Sequence, residues 1–141
     1  MPRVRVTRRV HFSAAHRLGR EDWDEARNIE TFGACARTNW HGHNYELDVT
    51  VAGDVDPDLG FVMDLKDLKE LVEARVAADL DHRNLNIDVP WLRGTNPTTE
   101  NLVVAIWDRL KNALPDGIAL ERLVLWETPR NYVEYTGEGR A

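Results

Sequence analysis

The feature that most constrains the fold of this chain is the alternation of apolar and polar residues over positions 45–51, in the segment WHGHNYELDVTV. Period-two alternation is typical of a β-strand that has one face buried and the other in solvent. Continued towards the amino terminus, the buried register reaches His43 and His41. Because side chains two residues apart on a strand share a face, we expect both imidazoles to point into the interior.

The remaining pattern predicts elements in the order strand, strand, helix, helix, strand, strand. A first strand covers 4–16 and puts His16 on its buried register, and apolar stripes indicate helices that begin near Asp64 and near Thr98 or Thr99. A Pro-Arg turn joins the last two strands. This order predicts an α+β fold, with a four-stranded antiparallel sheet and two helices on one face. Such a sheet has two open edges, which assembly of subunits into a closed barrel would cover.

Length and composition predict one domain over residues 1–141, with enough apolar residues, 43%, to bury a core. No apolar run approaches the roughly 18 residues of a membrane span, and the arginine-containing start lacks the apolar stretch of a secretory signal. The single cysteine excludes an internal disulfide framework and is typical of the reducing cytoplasm, which is the location we predict. The net charge of -6 argues against a general affinity for nucleic acid.

Three histidines, His16, His41 and His43, therefore fall on the inward registers of two strands. A lone buried histidine is usually a hydrogen-bonded core residue, but an H-x-H at a strand start with a third inward histidine favours a metal site. Three imidazoles with a fourth position open form a catalytic zinc arrangement. Zinc is the predicted ion, although the ligand type also suits iron and other transition metals.

Four further residues are candidates for chemistry. Cys35 lies in a long irregular segment, where a role as base or nucleophile and a role as small apolar filler are equally open. Asp81 and His82 could form a proton relay, although the pattern alone favours a helix stop followed by an exposed histidine. Glu127 ends a predicted strand on the face that carries apolar residues. Either its carboxylate binds the N–H groups of a planar ligand edge such as a pterin's, or the predicted register of the strand is wrong by one residue.

Six motifs, in this order and over nearly the whole chain, resemble the 6-pyruvoyl-tetrahydropterin synthase family: FSAAHRL, FGAC followed by WHGHNYELDVTV, GFVMDLKDLK, LDHRNLN, NPTTENLVVAIWDRL and a strand ending in WET. The resemblance implies the tunnelling fold, in which trimers form a continuous antiparallel barrel and two trimers stack into a homohexamer. It also implies active sites between subunits. The implied reaction converts 7,8-dihydroneopterin triphosphate to 6-pyruvoyl-tetrahydropterin with loss of triphosphate.

The same resemblance implies roles for individual residues. The zinc ligands would be His16, His41 and His43. The general base and its proton relay would be Cys35, Asp81 and His82. The pterin would be anchored by Glu127, and its pocket lined from a neighbouring subunit by Thr98, Thr99 and Glu100. Zinc bound to the hydroxyls of the substrate's side chain would act as a Lewis acid and acidify the adjacent C–H, so that the Cys35 thiolate could accept the proton. The sequence does not identify the contacts of the triphosphate. Arg8, Arg9 and Arg17, in the arginine-rich first 20 residues, are suggestions only, since such a charge run is usually a solvated strand edge.

Two alternatives stay open. The family also includes the 6-carboxytetrahydropterin synthase of queuosine biosynthesis, which uses the same substrate, metal and base. The segment ARTNW departs from the more Asn/Gly-rich turn of relatives, but the five residues between Cys35 and His41 resemble the pyruvoyl branch and predict its product. The second alternative, a non-catalytic zinc-binding protein, would need none of Cys35, His82 and Glu127.

Overall fold

The regular elements of this chain form an α+β fold, as the order of the predicted elements indicated. The computed structural model describes residues 2–139. In chain order the elements are β1 (Arg3–His16), α1 (Glu25–Phe32), β2 (His41–Asp54), α2 (Leu65–Val72), α3 (Ala78–Leu80), β3 (Arg83–Asn84), α4 (Thr99–Leu110), β4 (Ala119–Thr128) and β5 (Asn131–Tyr135). Within the described residues, no helix has both the length and the apolar character that crossing a bilayer requires.

Within residues 2–139 the strands form one sheet of five, in the order β3-β1-β2-β4-β5. Strands β1 and β2 pair antiparallel over their whole length, so that His16 at the end of β1 lies opposite His41 at the start of β2. Strand β4 pairs antiparallel with β2, and β5 with β4. The two longest strands therefore bring the predicted histidines together at one end of the sheet.

The predicted count of four strands is wrong, because β3 adds a fifth strand that runs parallel to β1. This strand has only two residues, too few for any alternation that a sequence pattern could reveal. Tertiary hydrogen bonds hold it: the His82 N–H donates to the Ser13 carbonyl at 2.6 Å and the Leu85 N–H to the Ala15 carbonyl at 2.8 Å. The segment that follows His82 is thereby fixed to the histidine-bearing end of β1.

The hydrophobic core lies between one face of the sheet and the helices α2 and α4. Its fully buried members from these elements include Phe12, Tyr45, Leu47, Leu68, Val72, Leu102, Ile106 and Leu125. Both predicted helix starts are confirmed, because Asp64 caps α2 and Thr98 caps α4 through side-chain oxygens that accept backbone N–H groups. The histidine register of β2 belongs to the same buried face as this core.

Helix α2 does not end where its regular hydrogen bonding ends. One π-helical turn, Glu73–Ala77, leads directly into α3, so the helical segment continues to Leu80. Within this turn the carbonyl of Arg75 accepts a hydrogen bond from the Arg109 guanidinium of α4 at 3.2 Å. The helical segment therefore delivers Asp81 and His82 to the end of β1 from a packed support.

The irregular connection after β1 is ordered by asparagine side chains. Asn86 accepts from the Arg17 N–H and donates to the Arg17 carbonyl, both at 2.9 Å. Asn28, a buried residue of α1, accepts from the Arg20 N–H at 2.9 Å and donates to the Arg20 carbonyl at 3.0 Å. These amides give the backbone the partners that a neighbouring strand would otherwise supply.

Candidate metal centre and active site

Three histidines meet where β1 ends and β2 begins. His16 faces His41 across the ladder, and His43 lies two residues further along the same face of β2. One nitrogen of each ring can be chosen so that all three lie within 4.8 Å of one another. The rings meet edge to face, with centroids 4.6, 4.9 and 5.0 Å apart. This arrangement lets three lone pairs converge on one point.

The ring nitrogens show that the three residues fit a metal ion. The Nε2 atoms of His16, His41 and His43 are buried and have no hydrogen-bond partner within residues 2–139. At His16, Nδ1 lies 2.8 Å from the carbonyl oxygen of Pro97. A carbonyl oxygen can only accept, so Nδ1 carries the proton and the lone pair on Nε2 is free. Unpaired buried nitrogens are costly, and a coordinated cation would satisfy all three.

The surroundings of His16 and His41 favour the neutral form that coordinates metal. Desolvation lowers the pKa of His16 and of His41 below the ordinary value of an imidazole. At His41 the electrostatic influence of His43 acts in the same direction. A histidine must be neutral at the nitrogen that binds a cation, so these rings can coordinate at neutral pH without first losing a proton.

Glu127, near the end of β4, presents its carboxylate beside the histidines. Its Oε1 lies 3.7 Å from Nε2 of His43, while its Oε2 accepts a hydrogen bond from the hydroxyl of Thr99. Thr99 is the first residue of α4, is buried, and belongs to the same chain as Glu127. The resemblance implied that Thr99 lines the pterin pocket of a neighbouring subunit, which stays a prediction. Within its own chain, Thr99 orients the Glu127 carboxylate.

The two other residues predicted on this segment lie differently. The Thr98 side chain is engaged as the cap of α4, where its hydroxyl accepts from the Asn101 N–H at 3.1 Å. Glu100 is exposed on the first turn of α4. Of the three residues predicted on this segment, Thr99 is the one that bonds to the Glu127 carboxylate.

Asp81 and His82 form a pair at the end of the helical segment. The Asp81 Oδ1 accepts the Ser13 N–H at 2.9 Å, and its Oδ2 lies 3.0 Å from Nδ1 of His82. The Ser13 hydrogen bond and, to a lesser degree, His82 lower the pKa of the Asp81 carboxyl. His82 has a left-handed backbone, with φ at 59°, and its side chain is 84% exposed. His82 and His43 both line a cleft of about 530 Å³.

Cys35 lies in a short 3-10 turn, Gly33–Ala36, and is half-buried. Its carbonyl accepts from the Leu18 N–H at 2.7 Å, so the turn is attached to the residues that directly follow His16. Burial, with smaller contributions from Glu127 and Cys35, raises the pKa of the Tyr45 hydroxyl. That hydroxyl lies 3.5 Å from Nδ1 of His16, which places Cys35 and Glu127 in the electrostatic surroundings of the histidine cluster.

The three arginines considered for an anionic group are not equivalent. The Arg9 guanidinium lies 2.6 Å from a carboxylate oxygen of Asp48 and 2.8 Å from one of Glu46, so its charge is already compensated. The Arg17 Nε–H donates to the Ala36 carbonyl at 2.8 Å. Arg8 is half-buried on the inward register of β1.

Sequence reasoning missed the groups that support the site. The Pro97 carbonyl that sets the tautomer of His16 is 81 positions away, and no local pattern marks it. Asn86 is 69 positions from Arg17 and looks like an ordinary loop residue. Tyr45 could have been found, because it follows His43 by two residues on the same buried register.

Known proteins resemble this chain over nearly its full length. Residues 5–138 match the family described as 6-pyruvoyl tetrahydropterin synthase. A Pongo abelii protein named 6-pyruvoyl tetrahydrobiopterin synthase is 46% identical over 135 residues, which cover 96% of this chain and 92% of that protein. A Bacillus subtilis protein named 6-carboxy-5,6,7,8-tetrahydropterin synthase is 34% identical over 131 residues, covering 89% of this chain and 80% of that protein. The solved structure of Caenorhabditis elegans 6-pyruvoyl tetrahydropterin synthase has a TM-score of 0.90 and 41% identity, covering 98% of each chain.

Proposed function

This chain belongs to the 6-pyruvoyl tetrahydropterin synthase family, and from that premise we propose that it is a lyase that converts 7,8-dihydroneopterin triphosphate to 6-pyruvoyl-tetrahydropterin with elimination of triphosphate. The observation that carries the proposal is the similarity over nearly the whole chain to proteins named for this activity. The histidine cluster with the Glu127 carboxylate beside it supports the proposal, because a metal and a pterin anchor are what the reaction needs at one place.

The proposed cofactor is zinc, held through Nε2 of each of the three histidines His16, His41 and His43. When bound, the ion would supply Lewis acidity to the oxygens of the substrate side chain and acidify the adjacent C–H. Glu127 would accept the N–H groups of the pterin edge. Because Thr99 holds one carboxylate oxygen of Glu127, the direction in which the other oxygen faces the substrate is fixed before binding.

Proton transfer is assigned to Cys35 with Asp81 and His82. Cys35 would accept the proton from the acidified carbon as a thiolate. The Asp81 carboxylate, whose pKa is lowered chiefly by the Ser13 hydrogen bond, is ionised at neutral pH and accepts from Nδ1 of His82. That bond leaves Nε2 of His82 as the atom that would exchange a proton during the later tautomerisation.

The 6-carboxytetrahydropterin synthase reaction is the second candidate, because a relative named for it covers most of this chain. That relative is 34% identical, against 46% for the one named for the pyruvoyl reaction. The spacing between Cys35 and His41 also favours the pyruvoyl product. A non-catalytic zinc-binding protein is the least favoured reading, since it would leave the Glu127, Thr99 and Asp81 contacts without a role.

Product analysis separates these reactions. Purified protein incubated anaerobically with 7,8-dihydroneopterin triphosphate should release triphosphate and give 6-pyruvoyl-tetrahydropterin as the main product, identified by mass spectrometry. If 6-carboxytetrahydropterin and acetaldehyde dominate, the second reaction is the correct one. If the loaded protein consumes no substrate, both catalytic assignments fail.

The proposed assembly is the tunnelling fold, a homohexamer of two stacked trimers joined through a continuous barrel. Support comes from the sheet, whose edges are β5 on one side and β1 beyond the two residues of β3 on the other. Open edges invite pairing with another chain. The His82 side chain is 84% exposed and is therefore available to a neighbouring subunit.

We propose the cytoplasm as the location of the protein.

Light scattering tests the assembly. We expect a mass of about six chains at micromolar concentration, because edge pairing buries backbone groups that a monomer leaves in solvent. A stable monomer with full activity would contradict the barrel and the placement of active sites between subunits.

A further inference from the structure

Arg17 connects two parts of the proposed active site. It directly follows His16, and its Nε–H donates to the carbonyl of Ala36 at 2.8 Å. The next residue, Leu18, donates its N–H to the carbonyl of Cys35 at 2.7 Å. Two consecutive residues at the exit of β1 therefore bond to two consecutive carbonyls of the turn that carries the thiol.

These two carbonyls are the ones that the turn itself leaves unpaired. The 3-10 turn covers Gly33–Ala36, and the N–H that closes it, from Arg37, bonds to the Ala34 carbonyl. The last carbonyls of a helical turn have no partner within the turn and need one from outside. Leu18 supplies that partner for Cys35 and the Arg17 side chain supplies it for Ala36. Of these two external bonds, the one from Arg17 is the bond that a side-chain substitution can remove.

The backbone of Arg17 is itself held firmly. Both its N–H and its carbonyl bond to the side-chain amide of Asn86 at 2.9 Å. Asn86 is in turn fixed, because its N–H donates to the side-chain oxygen of Asn84 in β3 at 3.0 Å. The Arg17 backbone is therefore fixed at the point from which its guanidinium reaches the Cys35 turn. The same Asn86 bonds join the histidine-bearing end of β1 to the segment after His82.

We propose that Arg17 is a positioning residue that holds the Cys35 turn at a set place relative to the metal centre. The inference rests on the proposed function in one respect, that Cys35 acts on the substrate. It replaces the sequence-based suggestion that Arg17 contacts the triphosphate. A positioning role predicts an effect on turnover, whereas a triphosphate contact predicts an effect on substrate binding.

The paired variants Arg17→Met and Arg17→Lys test the role of the side-chain donor. Methionine keeps an unbranched apolar stem and removes the donor, so we expect kcat to fall by roughly ten- to hundredfold, the scale of a displaced catalytic group. KM and zinc content should stay near the wild-type values. Lysine keeps a cation whose N–H can reach a carbonyl and should recover most of kcat. An unchanged kcat in Arg17→Met, or a raised KM with kcat unchanged, would overturn the proposal.

A measurement on the thiol itself is independent of enzyme activity. Cys35 is the only cysteine, so alkylation by iodoacetamide reports on this residue alone. At about pH 10, where an ordinary thiol is mostly ionised, the rate reflects access. It should rise severalfold in Arg17→Met as the turn opens, and fall back towards wild type in Arg17→Lys. Equal rates in all three proteins would overturn the proposal even if the wild type proves inactive, an outcome that by itself defeats only the proposed function.

The control variant is Asn28→Ala, which removes two hydrogen bonds to the backbone of Arg20 in the same connection. It should lower the melting temperature and leave kcat and the alkylation rate unchanged, because the hydrogen bonds of its side chain go to Arg20 and Trp23 and not to the Cys35 turn. If Asn28→Ala changes kcat and the alkylation rate as strongly as Arg17→Met does, the effect comes from loss of order throughout the connection after β1, and the proposal fails. If Arg17→Met does not fold, Arg17→Gln removes the same long-reaching donor and is subject to the same criteria.

Discussion

Replacement of Cys35 by alanine should lower kcat by about a hundredfold or more and leave the metal and the pterin bound. Loss of a positioned general base typically costs a factor of about 10² to 10⁴ in rate. The thiol is half-buried, and the backbone of its turn is held through carbonyls that alanine retains. The measurement combines steady-state kinetics, zinc analysis and pterin binding on the same protein preparation.

Cys35→Ser is the matched variant for this prediction. A serine hydroxyl preserves the size and polarity of the side chain but ionises far less readily than a thiol, so we expect a loss similar to that of alanine. Near-normal turnover in Cys35→Ala would remove Cys35 from the mechanism. Loss of zinc in that variant would instead show that the thiol supports the metal centre.

The sequence predicted the faces of the strands better than their number. Alternation in β2 put His41 and His43 on the buried side, and the even register of β1 did the same for His16, because strand periodicity fixes the face without knowledge of the partner. The parallel strand β3 escaped, since two residues held by bonds to β1 carry no periodic signal.

The fine geometry of the site depends on contacts between distant positions, which a single sequence does not reveal. The Thr99–Glu127 hydrogen bond joins α4 to β4, and its existence follows from packing. The sequence pattern favoured an exposed histidine at position 82, and the His82 side chain is 84% exposed. The pattern did not reveal that the neighbouring Asp81 carboxylate accepts a hydrogen bond from β1. Trp40, directly before the histidine strand, has φ at 53°. This left-handed conformation is unusual for a bulky residue, and sequence reasoning expected only a departure from an Asn/Gly-rich turn there.

Removal of one histidine should empty the metal centre. In His41→Ala two imidazoles remain, and zinc should fall from about one ion per chain to near zero after dialysis, with loss of activity. His41 is the suitable position because it is only partly buried, whereas His16 is 1% exposed and bonded to Pro97, so its removal would also disturb the core. Metal analysis and circular dichroism on the same preparation separate loss of metal from loss of fold.

Acidification should also release the metal, because protonation removes the ligand nitrogens as a substitution would. Protons compete for the ligand nitrogens, and burial lowers the pKa of His16 and His41, so the nitrogens stay unprotonated further into acid than free imidazole would. Zinc should therefore stay bound at pH 7 and leave only as the pH falls below about 6.5, the ordinary imidazole value. Release that is already complete at pH 7 would contradict this ligand set.

His11→Ala is the control for the ligand variant. His11 is on the same strand as His16 but on the opposite register, where its side chain is exposed. Because it lies on the opposite face of β1 from the cluster, its loss should leave the zinc content unchanged. Undiminished zinc in a folded His41→Ala, or an equal loss of zinc in His11→Ala, would show that the metal is held elsewhere. Loss in His41→Ala alone would assign the ion to the buried face where β1 and β2 meet, beside the Glu127 carboxylate.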